Sequence, residues 1–196
     1  MNNMLSLNCP PIILASNSPR RKELLELIDL PFKAISSSVH EDFNIDLKPI
    51  EFVKHYAKLK ALDIAKDFQD HLVIGADTVV VLNDEIIGKP IDENNSKSIL
   101  GKLSGKTHTV ITGVALVWLE KNVTDIFNEI TNVTFRRLTD EQIQYYIDNY
   151  HPFDKAGSYG IQDWFAVCVK RIDGCFYNVM GMPLSNFYKH FTEIIK

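Results

Sequence analysis

The chain has 196 residues, a net charge of −4 and 45% hydrophobic side chains. A chain of that size and composition buries a sizeable core as one large domain or two tightly packed lobes, without disulfide or metal staples. The acidic balance argues against a nucleic-acid surface, which usually shows as a basic domain, and no apolar run reaches the length of a membrane span.

The N-terminal stretch "MNNMLSLNCPP" lacks the basic and long apolar segments of a secretion signal. The three cysteines, Cys9, Cys168 and Cys175, form no C-x-x-C pair. Their odd number reads as a reducing compartment with no thiolate metal site. The expected location is the cytoplasm.

"PPIILAS" reads as a short buried strand and "NSPRRKELLELI" as the helix after it, with Ser18 as N-cap and Pro19 in the first helical position. "PFKAISSSV" reads as a second strand leading into the acidic "HEDF". From Pro49 to Phe68 the pattern is helical, and Lys60 falls in the apolar stripe of Val53, Ala57, Ile64 and Phe68. "HLVIGADTVVVL" is a strongly apolar strand that Asn83–Asp84 turns into "EIIGKP".

"ENNSKSILGKLSG" reads as a short helix, and "THTVITGVALVWL" and "DIFNEITNVTFRR" as long strands. Thr139 and Gln142 fit a capping box for "DEQIQYYIDNY". A glycine-containing loop, "HPFDKAGSYGIQDW", follows. "FAVCVKRIDGCFYNVM" reads as a hairpin turning at Asp173–Gly174, and a short helix follows Pro183. The expected class is α/β with a mixed sheet and not a doubly wound one.

Several residues stand out against these elements. Arg20 and Arg21 lie at the positive end of a helix, where cations are disfavoured. A strand, a tight turn and a helix start form an anion site, and two guanidinium forks suit phosphate oxygens. The plain alternative is an exposed helix start with solvated arginines.

Asp77 sits among residues that want burial, so it needs a metal, a cation or hydrogen bonds. A structural aspartate bonded to a neighbouring turn is the alternative. Glu41 is either its partner in holding a hard divalent ion or a solvated loop residue. Lys60 either snorkels to water or meets an anion inside. Lys89 is fixed between Gly88 and Pro90.

"GKLSGKT" imitates a P-loop, but it has three residues between the glycines where the motif has four, and it follows a helix. His108 beside it reads as structural. In "DKAGSYGIQ", Tyr159 and Gln162 suit base stacking and base-edge reading, or else a structural loop that needs glycine.

In order, "LASNSPRR", "HEDF", "YAKLKA", "IGADTVV", "GKP", "LSGKTHTVITGV", "NVTFR", "DKAGSYGIQ" and "YNVMGMPL" resemble the Maf family of nucleotide pyrophosphatases. The resemblance runs from Leu14 to Leu184. It implies an elongated mixed β-sheet flanked by helices, built as a single domain of two lobes over residues 1–196 with a central cleft.

It also implies hydrolysis of a nucleoside triphosphate to monophosphate and pyrophosphate with a divalent cation, Mg²⁺ or Mn²⁺, and a homodimer. Asp77 matches the family's catalytic proton acceptor. Ser16, Arg20, Arg21, Glu41, Lys60 and Lys89 match its phosphate and metal site. Arg20, Thr78 and Gln162 match positions tied to substrate choice. The form "AGSYGIQ" resembles the branch acting on dTTP and UTP. Asn17, His40, His55 and Met182 depart from the family pattern.

Overall fold

A computed structural model describes residues 9–196; the leader reading of the first eight residues lies outside the described residues. The elements are β1 (Ile12–Leu14), α1 (Pro19–Leu27), β2 (Lys33–Ala34), α2 (Pro49–Ala65), β3 (Leu72–Leu82), β4 (Glu85–Ile87) and α3 (Glu93–Leu103), then β5 (Thr107–Trp118), β6 (Val123–Phe135) and α4 (Asp140–Tyr150). Three short 3₁₀ turns follow, and then β7 (Val169–Asp173), α5 (Phe176–Met180) and α6 (Leu184–Ile194). No described helix is long and apolar enough to cross a membrane.

The sheet runs β2-β1-β3-β5-β6-β7, with β4 added to β3. β1 is parallel to β2 and β3, and every other pairing is antiparallel, so the sheet is mixed as expected. One detail of register makes the site. β5 occupies one edge of β3 from Val73 to Val81. The other edge is shared between β1, which reaches only Ile74, and β4, which begins at Val80. Between them the edge of β3 has no described strand beside it, and Asp77 and Thr78 lie in that gap.

Separate apolar clusters pack on the two sides of the gap. One gathers Val80, Leu100, Val133, Tyr146 and Phe165; another gathers Leu14, Leu24, Ile74, Phe187 and Phe191. Val80 belongs to the first and Ile74 to the second, so the clusters divide along β3.

Helix α2 covers the face of the sheet on which Asp77 projects. It lies unusually close because Gly75 and Gly113 are bare there. A Cβ on Gly75 would fall 2.1 Å from the Ala57 carbonyl oxygen, and one on Gly113 would fall 2.5 Å from that of Val53. The backbone of the helix therefore rests on the backbone of the strands. Gly113 pairs directly with Asp77 in the β3–β5 ladder, so the helix is seated beside the carboxylate.

Three local expectations are corrected. Residues 165–180 do not form a hairpin. β7 pairs with β6, and Gly174, at φ 126°, turns the chain into the short helix α5. Asn178 explains the turn: its buried amide donates to the Val110 carbonyl and to Thr131 Oγ1, at 3.1 and 3.0 Å. The strand expected across 31–39 shrinks to Lys33–Ala34, because the serines after it bond to α2 and not to a neighbouring strand. Ser18 stands at the N-cap of α1, but its hydroxyl makes no cap bond. Its N–H donates instead to Ser16 Oγ at 3.2 Å.

His108 is structural, as read from the sequence. It is buried, with Nε2 2.8 Å from the Tyr159 hydroxyl. Burial pushes its pKa down to about 4 from 6.5. The fold favours the neutral ring, so this contribution to stability is complete above pH 6.5 and is lost as the pH falls toward 4. A shift of that size amounts to roughly 3 kcal/mol. Urea unfolding of the wild type should therefore weaken across that window, and His108→Gln should lack that part of the slope. Parallel pH profiles for the two proteins would refute it.

Candidate active site

The gap in the sheet opens into a cavity of about 400 Å³, within the range of small-molecule sites. Ser16, Arg20, Arg21, Glu41, Lys60, Asp77, Thr78, Lys89 and Gln162 all line it. They come from the β1–α1 turn, the first turn of α1, the loop before α2, α2 itself, β3, the β4 exit and the 3₁₀ segment. The nine residues singled out in the sequence thus meet in one place, although 146 positions separate the first from the last.

At the floor, Lys60 joins two carboxylates. Its Nζ donates to Asp77 Oδ1 at 2.7 Å and to Glu41 Oε1 at 2.5 Å. Lys60 and Asp77 are both buried, and Glu41 is half-buried. Burial alone would raise the Glu41 pKa. The charge and hydrogen bond of Lys60, helped by Lys89 and Arg21, outweigh it and hold the carboxyl below its usual range.

The two arginines divide their work. Arg20 reaches across the cleft, and its Nη1 donates to Asp154 Oδ2 at 2.8 Å. Arg21 is fixed inside: Nε donates to the Gly181 carbonyl at 3.0 Å, Nη1 to Ser16 Oγ at 3.3 Å and Nη2 to Thr78 Oγ1 at 3.1 Å. Those bonds use three of the five guanidinium N–H donors and leave two. The hydroxyl chain behind Arg21 has a definite direction. Thr112 donates to the Asn178 carbonyl, so Thr78 must donate to Thr112. Thr78 therefore sets the direction of Arg21 as well as lining the cavity.

Lys89 has no carboxylate partner among the described residues. Its turn is tied to the facing loop where the Gly157 N–H donates to the Gly88 carbonyl at 3.1 Å. Gln162 is exposed within the cavity lining. Tyr159 is buried in the cavity wall, packed edge-on against His108 and Phe135.

Sequence reading passed over Lys155 and Asp154, which also line the cavity. Asp154 bridges Arg20 and Lys155, the latter at 2.7 Å. Burial would raise its pKa, and the hydrogen bonds from Lys155 and Arg20 outweigh it and lower it. Their only local sign was an adjacent pair of opposite charges before a glycine. Counted together, five cations and three carboxylates surround the cavity. The balance favours a polyanion.

The sequence profile described as "Maf-like protein" matches residues 11–194. The chain belongs to the Maf family. A Bacillus cereus relative named dTTP/UTP pyrophosphatase is 47% identical over 182 residues, covering 93% of this chain and 94% of its own. A relative of the same name from a second Bacillus cereus strain is 46% identical over 186 residues, covering 95% and 91%. Among solved structures, the Staphylococcus aureus Ham1 protein overlays 64% of this chain and 71% of its own at a TM-score of 0.45, with 17% identity.

The departures from the Maf pattern leave the cavity floor intact. Met182 is fully buried in the cluster beneath α1. Asn17 is exposed on the cavity lining, and His40 is exposed beside Glu41. His55 meets Tyr56 edge-on.

The residues present also fit a hard divalent cation. Glu41 and Asp77 direct carboxylate oxygens at one point, now spanned by the Lys60 ammonium. Mg²⁺ is typically held by one or two carboxylates, completed by water and substrate phosphates. No described group of three His, Cys, Asp or Glu makes an all-protein cage.

Proposed function

We propose that this Maf-family chain hydrolyses dTTP and UTP to the nucleoside monophosphate and pyrophosphate. The observation that carries the reading is the convergence of Asp77 and Glu41 with Arg20, Arg21, Lys60 and Lys89 in one cavity. The names of the relatives support the same reaction and the same bases.

Asp77 takes a proton from the attacking water as its oxygen bonds to the α-phosphorus. The bond from the α-phosphorus to the bridging oxygen breaks, and pyrophosphate leaves. Arg20, Arg21 and Lys89 hold the phosphates and take up the charge that develops on the leaving group. Lys60 keeps both carboxylates aimed. Glu41 and Asp77 would hold a divalent cation, Mg²⁺ or Mn²⁺, whose contribution is to neutralise phosphate charge and orient the α-phosphate. Gln162 carries both an amide donor and an acceptor, the pattern that matches the O4 and N3–H edge of uracil and thymine.

The test is a nucleotide panel with Mg²⁺ or Mn²⁺ and identification of every product. The expected result is monophosphate plus pyrophosphate, with dTTP and UTP well ahead of CTP, ATP and GTP. Preference for a purine nucleotide would overturn the base assignment. Diphosphate plus orthophosphate would point to a γ-phosphatase, and tight binding without product to a nucleotide sensor. Chelation of the metal should abolish turnover.

A further inference from the structure

The loop that delivers Glu41 has no strand or helix of its own between Ala34 and Pro49. It is laid instead along one face of α2. Phe52, Tyr56, Lys60 and Asp63 follow one another at spacings of four, four and three, which puts them on a single stripe of the helix. Each meets the loop in turn, with the loop running the opposite way. Phe43 stacks on Phe52 with ring centroids 5.2 Å apart. The Asp42 N–H donates to the Tyr56 hydroxyl at 2.7 Å. Glu41 meets Lys60.

At the far end, Asp63 Oδ2 accepts three hydrogen bonds: from Ser38 N–H at 2.8 Å, Ser38 Oγ at 3.0 Å and Ser37 Oγ at 3.1 Å. The Ser37 hydroxyl in turn accepts the Val39 N–H at 3.1 Å. Among the described hydrogen bonds, those to Asp63 are the ones that tie residues 36–40 to the rest of the molecule.

We infer that Asp63 is a positioning residue: it fastens the upstream end of the Glu41 loop to the helix that carries Lys60. Lys66, its i+3 neighbour, caps the other carboxylate oxygen at 2.8 Å. The hydrogen bond from Lys66 and those from Ser38 hold the Asp63 carboxyl well below its usual range. Such a carboxylate stays a full acceptor through the physiological range. Lys60 fixes the tip of the Glu41 side chain, while Asp63 and Tyr56 fix the backbone on either side of it.

The inference rests on the functional reading of Glu41, and its test separates the two. Asp63→Ala should lower kcat by roughly 10- to 10²-fold through misplacement of a group it does not touch. In a Glu41→Gln background the same substitution should cost nothing further, because both act through one group. Deuterium exchange should rise in the peptide spanning residues 36–43 and stay unchanged in α2. Ser37→Ala/Ser38→Ala, which removes the two hydroxyl donors but keeps the Ser38 N–H bond and leaves the helix untouched, should show both effects in the same direction and to a smaller degree.

Equal losses with and without Glu41, or unchanged exchange, would overturn the clamp. Wild-type turnover in Glu41→Gln alone would sink the role of Glu41, and the exchange measurement would still decide whether Asp63 holds the loop.

Discussion

Asp77→Asn should lower kcat by roughly 10²- to 10⁴-fold, the range for loss of a positioned general base. The substitution is close to isosteric, and the asparagine oxygen can still accept from Lys60, which lies 2.7 Å from the carboxylate now. The fold and the nucleotide KM should therefore change little, and the loss should appear in kcat. An amide cannot take up the proton of the attacking water. Steady-state kinetics on the purified variant are the check; near-wild-type turnover would remove Asp77 from the mechanism.

Lys60→Met should destabilise the protein by about 3 kcal/mol at neutral pH, the lower end for breaking a buried ion pair. Methionine fills the space and donates nothing. Glu41 and Asp77, both within 2.7 Å of the ammonium, would then face one another without a cation between them. Two carboxylates in one site cannot both ionise freely, so one of them must rise in pKa.

The sign of the pH dependence follows. In the wild type Glu41 is held low, so its contribution is present above its unfolded value near 4.5 and is lost as the pH falls. In the variant the raised carboxyl contributes at low pH, and that contribution is lost as the pH rises through its folded value. The stability gap between the two proteins should narrow on acidification from pH 7 to 4. Urea unfolding across that range measures it, and a constant gap would be inconsistent with the bridge. Activity should also fall, since the carboxylates lose their aim.

Some of this was legible in the chain and some was not, for definite reasons. Asp77 announced itself as a charge inside an apolar strand, and Arg20 and Arg21 as cations at the wrong end of a helix. Lys60 could be placed by helical periodicity. What no local spacing encodes is which groups answer them. One acceptor for Arg21 is a backbone carbonyl at Gly181, 160 positions away, and a carbonyl has no letter of its own.

The gap on β3 depends on where β1 stops and β4 starts, which is a matter of register. Nothing in the sequence marked Asp63, because its partners are two serines in a loop without periodicity. The expected hairpin at Asp173–Gly174 failed for a similar cause. Its turn signal was sound, but Asn178 found better partners inside the sheet than a returning strand would have offered.

The bare glycines under α2 carry a mechanical consequence. A helix cushioned on side chains can slide when rotamers change, but one seated backbone on backbone has no compliant layer to deform. Lys60 and Asp77 are thus set against each other before any nucleotide enters, and they behave as the fixed jaw of a vice. The Glu41 loop, fastened along α2, belongs to the same jaw; whatever adjustment the triphosphate requires must fall on the facing segment from Asp154 to Gln162. On the proposed mechanism, stiffness lies at the proton acceptor and give at the residue that would read the base.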